Sequence, residues 1–394
     1  MSRLQLRPDR WAAGGEAIAR DDGGRVVFVR GALPGETVAV ELVTEKKDWA
    51  RGIAVDVVDP VAERVTPPCG ARLAGCGGCG WMHLALDAQR RARQAIVADA
   101  LRRTGGVQDP VVVLGGGVEP EGYRTTVRVA ADGEGCVGYH AEASHDVVVA
   151  ADCRVAHPAL RELLPLLRVD PGVEPTIRVS VATGDVAARW DRKAGGVRGL
   201  PDHAGRGSDA TLVEEVTGHR LRVSMGAFFQ SGPQAADLLV DSVRRAAPEL
   251  TTAGVVVDAY AGVGMFSVCA TDPSSHVIAI ETSRAAVADA THNLTGRVAT
   301  IVRGEVGGWR QGVGDAPVDV VIADPARSGL GRPGVNALAR TASAVIVLVS
   351  CDPASLGRDA KLLAGAGYRH DGSEVIDTFP HTTHVEVVTR FVRA

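Results

Sequence analysis

Cys351 lies in the segment VIVLVSCDPASLGRD, where the placing of a thiol suggests covalent chemistry. The branched residues Val345, Ile346, Val347, Leu348 and Val349 predict a buried strand. Asp352-Pro353 ends it, and residues 354–364 predict a helix. The thiol therefore falls at the carboxyl end of a strand and just before a helix N-terminus, the edge at which open α/β sheets hold their ligands. The helix dipole there is expected to lower the thiol pKa toward the thiolate. For a lone cysteine a buried structural role is the better reading. The neighbouring motifs reverse that preference.

VVVDAYAGVGMFS predicts a strand, a glycine turn and a helix. Asp258 ends the strand, while Gly262 and Gly264 let backbone approach a ligand closely. The third glycine of a dinucleotide fingerprint is missing, with Ser267 in its place. Glu281 closes the next strand, VIAIE, where a carboxylate can accept both hydroxyls of an adenosine ribose. An acid before the glycines together with Glu281 favours S-adenosylmethionine over NAD. Asp324 in VDVVIADPARSG ends another strand, suited to accept from a base or from the methionine end of a donor, or to cap a helix. Gln230 in GAFFQSGPQAADLL is a candidate to read a uracil edge or the donor, with capping as the alternative. Glu386 in FPHTTHVEVV is a candidate base if partly buried. His381 and His384 without placed partners make a poor metal site.

These groups need elements to hold them. The chain has 394 residues, 45% hydrophobic and 23% charged, with a formal net charge of −4. Such a chain is expected to be an ordinary soluble protein of two or three domains. No apolar run approaches the roughly 20 residues that span a bilayer, and MSRLQLRPDRW does not resemble a secretory signal. We expect a cytoplasmic monomer without a membrane partner. Of the seven cysteines, Cys69, Cys76 and Cys79 crowd into CGARLAGCGGCG. In a reducing compartment this clustering points to a metal or an iron–sulfur cluster rather than disulfides. Residues 1–60 predict a small OB-like β-barrel of the kind that can bind oligonucleotides. The arginine-rich stretch 86–104 is expected to be a helix with a solvated basic face, a phosphate contact being the alternative. Residues 61–222 predict a central α+β domain, and from residue 223 to 394 strands and helices alternate as in a doubly wound, Rossmann-like α/β sheet.

Taken together, Phe229-Gln230, DAYAGVGMF, Glu281, DPARSG, SCDPASLGRD and FPHTTHVE closely resemble, in order and over nearly the whole chain, the S-adenosylmethionine-dependent RNA uracil-C5 methyltransferases. This family holds the tRNA T-loop enzyme and the 23S rRNA enzymes. The resemblance implies an N-terminal TRAM domain. It also implies a [4Fe–4S] cluster on Cys69, Cys76, Cys79 and Cys153, the last in ADCRVAHP. It further implies that Cys351 adds to C6 of a flipped uracil, and that Glu386 removes the C5 proton after methylation. Asp324 and Gln230 would hold donor and base, with Tyr260, Gly262 and Glu281 lining the donor site. Phe228 or Phe229 would stack on the extruded ring or belong to the core. The cluster resembles a structural one, since protein supplies all its ligands; zinc is the alternative.

The chain departs from the family at three points. Six residues rather than five separate Cys69 from Cys76, Gly232 stands where Asn is common, and Met265 follows the glycine turn. RNA is the implied partner, 23S rRNA favoured over tRNA. Cytosine-C5 enzymes carry a second cysteine at the DP turn, and amino-group methyltransferases an aromatic residue after it; DPARSG has neither. A non-catalytic RNA-binding or RNA-folding protein on the same scaffold is disfavoured by the presence of both Cys351 and Glu386.

Overall fold

The computed structural model describes residues 3–150, 152–312 and 316–394. Strands β1 (Arg3–Leu6), β2 (Arg10–Trp11), β3 (Ala17–Arg20), β4 (Val26–Arg30), β5 (Thr37–Glu45) and β6 (Trp49–Asp59) make one sheet in the order β1-β5-β6-β4-β3-β2. In β4, VVFVR, every second residue is buried, as a strand with one wet face requires. The inward Ala17, Val27, Val29, Val38, Val40 and Ala50 form a small core of their own.

Residues 126–224 build short, mainly antiparallel sheets over Leu160, Leu164 and Ile177. The leucine-rich helix runs Pro158–Leu163, then tightens into a 3-10 turn, Leu164–Leu166, because Pro165 has no N–H for the α-helical ladder.

The large sheet draws on both ends of the chain. Its first parts are helix α1 (Leu86–Arg103) and strand β7 (Val112–Gly117), followed by α2 (Pro233–Ala246) and β8 (Val255–Ala259). Next come α3 (Met265–Cys269), β9 (His276–Glu281), α4 (Arg284–Asn293), β10 (Ala299–Arg303) and β11 (Val320–Ala323). The chain ends with α5 (Gly331–Ala339), β12 (Val345–Ser350), α6 (Pro353–Gly365), β13 (Tyr368–Asp377) and β14 (Glu386–Arg393). The order is β10-β9-β8-β11-β12-β14-β13-β7, parallel except where β14 meets its neighbours. Strands β8, β11 and β12 are buried at every residue, as a sheet covered on both faces demands.

This is a doubly wound α/β sheet, and residues 86–117 join it rather than the central region. Gly357 of α6 permits this: a Cβ there would stand 2.7 Å from the Ala100 carbonyl oxygen of α1. Among the described residues no helix is long and apolar enough to cross a membrane.

Candidate active site

After β8 the chain winds outward through β9 and β10, then returns across β8 to β11. The carboxyl ends of β8 and β11 are therefore the switch point, where such sheets open a crevice. Tyr260 leaves β8 in the left-handed region, with φ +64, a strain that concentrates at functional turns. Gly262 and Gly264 follow at φ +56 and +82, and Gly264 starts α3. Here glycine is required by the backbone itself. The Tyr260 phenol, pushed up to about 12 by burial, leans on α5, where only Gly334 leaves it room.

Asp258, a candidate donor-binding group, also supports the turn, while its Oδ1 has no hydrogen-bond partner among the described residues. It is wholly buried, and its Oδ2 accepts from the Ser267 amide at 2.9 Å and hydroxyl at 2.5 Å. Ser267 thus replaces the missing glycine with a clamp on the start of α3. Burial, then the charge of Glu281, lifts the Asp258 carboxyl to about 6. Glu281 lies at the end of β9 and steadies the turn. Its Oε2 accepts from the Gly262 amide (3.0 Å) and its Oε1 from the Thr282 and Ser283 amides (2.7 Å each). Oε1 also accepts from the Thr282 hydroxyl (3.2 Å), so Oε2 is the oxygen that retains a lone pair for a hydroxyl donor.

The register of β12 and β14 decides the chemistry. Ser350 pairs with Val387, so one further antiparallel step sets Cys351 opposite Glu386. Glu386 in turn pairs with Ile376 of β13 and is 5% exposed. Asp324 leaves β11 beside Ala259, to whose carbonyl its backbone amide donates (3.3 Å). Gln230 is buried in a loop tied to the same edge by Ser231, whose hydroxyl donates to the Thr378 carbonyl at 3.2 Å. Phe229 is buried in the core, while Phe228 is 74% exposed.

The electrostatics run opposite to the helix-dipole expectation. Burial, then Glu386 and Asp324, push the Cys351 thiol up to about 11. The amides of α6 are capped by Asp352, whose Oδ1 accepts from Ser355 N at 2.7 Å. Burial and Asp258 raise the Asp324 carboxyl to about 7; burial and Asp324 raise that of Glu386 well above the usual range. Arg327 is the opposing cation for Cys351 and Glu386, and it donates to His384 Nδ1 at 3.2 Å. Burial and the cations Arg327, Arg124 and Arg93 lower His384 to about 4, leaving a neutral imidazole whose Nδ1 accepts from Arg327.

The sequence reading missed what holds Glu386 in place. Arg93, expected on a solvated helix face, is 1% exposed. Its guanidinium donates to the carbonyls of Phe379, Thr382 and His384 at 2.8–2.9 Å. It also forms an ion pair with Asp377 at 3.2 Å, too bent to count as a hydrogen bond. One turn earlier, Gln89 accepts from the His381 amide at 2.7 Å. The signal was present: Gln89 and Arg93 share the inward stripe of Ala88, Ala92 and Ile96. Asp359 performs the same service for the DPARSG loop, accepting from the Leu330 and Gly331 amides at 2.7 and 3.0 Å. Arg93→Met is expected to cost about 3 kcal/mol or more, since it leaves Asp377 and three carbonyls unpaired. Thermal melts should show the loss, and kcat should fall with KM for the methyl donor unchanged.

Cys69, Cys76 and Cys79 lie in one stretch of chain and Cys153 comes from a distant one. Cys76 and Cys79 each lie within electrostatic reach of Cys69 and Cys153. Burial, then Cys153, raises Cys79 to about 12 and Cys76 in the same direction. All seven cysteines are free thiols. Among the described residues no three His, Cys, Asp or Glu side chains are gathered as the ligands of one ion. Thiols are the donor type that a metal or iron–sulfur group takes, and Cys76 and Cys79 are costly to ionise without a positive centre beside them.

A nucleoside-sized glycine turn beside a thiol–carboxylate pair marks a group-transfer enzyme of the doubly wound class. Residues 10–55 match the TRAM domain. The chain is 35% identical to an uncharacterized RNA methyltransferase of Streptomyces coelicolor, over 96% of this chain and 90% of that one. It is 32% identical to the 23S rRNA (uracil(1939)-C(5))-methyltransferase RlmD of Chromohalobacter salexigens, over 98% and 89%. The fold matches the Pyrococcus abyssi tRNA (uracil-54, C5)-methyltransferase, solved with S-adenosyl-L-homocysteine, at TM-score 0.72 and 24% identity, covering 98% and 99%. The chain belongs to the RNA methyltransferase family that includes the uracil-C5 enzymes.

Proposed function

We propose that the chain methylates C5 of a uridine in RNA, with S-adenosylmethionine as donor and Cys351 as a transient nucleophile. The observation carrying this reading is the strand register that opposes Cys351 to Glu386. Among the described residues, the side chains of Cys351, Glu386, Asp324 and Gln230 have no hydrogen-bonded protein partner, so all four are open to ligands. Charge supports the donor. Three acids and a thiol, all reluctant to ionise, mark a site short of positive charge.

When bound, the donor supplies a methyl group on a sulfonium, which leaves as a neutral thioether. The Cys351 thiolate forms a bond to C6, and the C5–C6 electron pair moves onto O4 as an enolate. C5 then takes the methyl, Glu386 removes the C5 proton, and the electrons re-form C5=C6 as the thiolate departs. Glu281 accepts from the ribose, and Gln230 and Asp324 orient base and donor. The base must leave its stack to present C6 to one side and C5 to the other.

The same reading assigns Cys69, Cys76, Cys79 and Cys153 to a structural [4Fe–4S] cluster, because four thiols are its ligand set and Cys76 and Cys79 lie within electrostatic reach of the other two. Protein purified anaerobically should carry a broad visible absorption that Cys153→Ser removes; stoichiometric zinc in its place overturns the assignment. The RNA favoured is 23S rRNA, after the 32% identical relative. Incubation with labelled donor and RNA from a strain lacking the gene should yield 5-methyluridine at one mapped position. Label in 5-methylcytidine, or none, sinks the reading.

A further inference from the structure

A cavity opens where the catalytic loop meets the barrel and the cysteine loop. It encloses about 350 Å³, within the range of small-ligand pockets. Its walls come from the barrel at Gly15 and Arg30, from the cysteine loop at Gly78 and His83, and from the catalytic loop at Thr383 and His384. Three segments distant in sequence thus meet around one space, and the contact between them is built. Trp81 Nε1 donates to the Gly15 carbonyl at 2.9 Å, and Gly15, at φ +84, has Thr383 and Trp81 where a Cβ would project.

The lining suits a nucleobase. Glycines at three of the surrounding turns keep side chains out of the space. His83 is 9% exposed, and its Nε2 has no hydrogen-bond partner. Burial holds that imidazole near 4, so it is neutral, a donor on one nitrogen and an acceptor on the other. An unpaired buried nitrogen of this kind costs free energy until a ligand satisfies it. Arg30 contributes a cation, paired with Glu142 at 3.3 Å.

Position suits it equally. At one end His384 lines the cavity, accepts from Arg327 and lies two residues before Glu386. At the other end Glu16 lines it and pairs with Arg51 at 3.3 Å. Arg51 lies over the Phe28 and Trp49 rings, 5.6 Å from each centroid, on the outward face of the barrel. An arginine over two half-exposed aromatics is a surface on which single-stranded bases stack. The path from Cys351 therefore passes Arg327 and His384, enters the cavity, and emerges beside a stacking platform.

We propose that this cavity receives one nucleobase of the single strand flanking the target uridine, with the neighbouring nucleotide stacked on Phe28, Trp49 and Arg51. The proposal rests on the RNA-methylation reading above. Its test uses an RNA oligonucleotide holding the mapped target, with single abasic replacements at each position on either side. For the wild-type protein one abasic position should cost about tenfold in kcat/KM. In His83→Phe that same replacement should cost less than about twofold, since the partner it would lose is already gone. Arg30→Met, on the half-exposed barrel surface, gives a second variant if His83→Phe melts early, and Trp49→Ala should relieve the cost at the adjacent position. Abasic costs unchanged in these variants, with methylation intact, overturn the proposal alone. No 5-methyluridine from the wild-type protein overturns the underlying reading and this one with it.

Discussion

Cys351→Ala is expected to abolish methyl transfer, with a loss of roughly 10⁴-fold or more, because no other group at the β12 edge can activate C5. The same variant should form no covalent adduct with RNA carrying 5-fluorouridine, whose C5 fluorine blocks the final elimination. The thiol also carries a pH signature. In the free protein burial, Glu386 and Asp324 hold it at about 11. Only the thiolate reacts with iodoacetamide, so labelling of the Cys351 peptide should climb about tenfold per pH unit from neutrality without levelling below about pH 10. A sulfonium ligand adds a positive charge beside the two carboxylates and lowers this pKa. S-adenosylmethionine should therefore speed labelling near pH 8 more than the uncharged thioether S-adenosylhomocysteine does. A plateau near pH 7 in the free protein would mean that the helix terminus, not the donor, activates the thiol.

Glu386→Gln keeps the shape of the side chain and removes the base. Turnover should fall about 10³-fold, within the span usual for a positioned general base. Methylated RNA should then remain bonded to Cys351, because the C5 proton has no acceptor and elimination waits. A labelled, unmodified transcript should run as a protein adduct on a denaturing gel with Glu386→Gln and leave the wild-type protein free. Stability should change little, since burial and Asp324 already disfavour the ionised carboxylate that the neutral amide replaces. Unchanged turnover, or turnover lost without an adduct, would place the base elsewhere.

Much of the site could be read before folding was considered. Strand-end residues announce themselves when a β-branched run meets glycine or Asp-Pro, so Cys351, Asp324, Glu281 and the glycine turn all fall at the crevice edge of the sheet. The clamp residues could not be read that way. Arg93 looked like surface because arginine usually is. It is buried because three carbonyls of a loop almost three hundred residues away consume its donors. Asp258 shows the same limit: an acid before a glycine turn is compatible with contact or support, and only the position of Ser267 reveals the support.

Local order along the chain determined the alternation of strands and helices, the chemistry-bearing strand ends and the three clustered thiols Cys69, Cys76 and Cys79, since these depend on periodicity and residue type. Tertiary structure decided the rest. It opposed Cys351 to Glu386 through the antiparallel return of β14 and drew residues 86–117 into the catalytic sheet. It also reversed the thiol's expected acidity. A pKa depends on the charges and solvent around a group in space, and two carboxylates brought beside a half-buried sulfur outweigh one helix terminus already capped by Asp352.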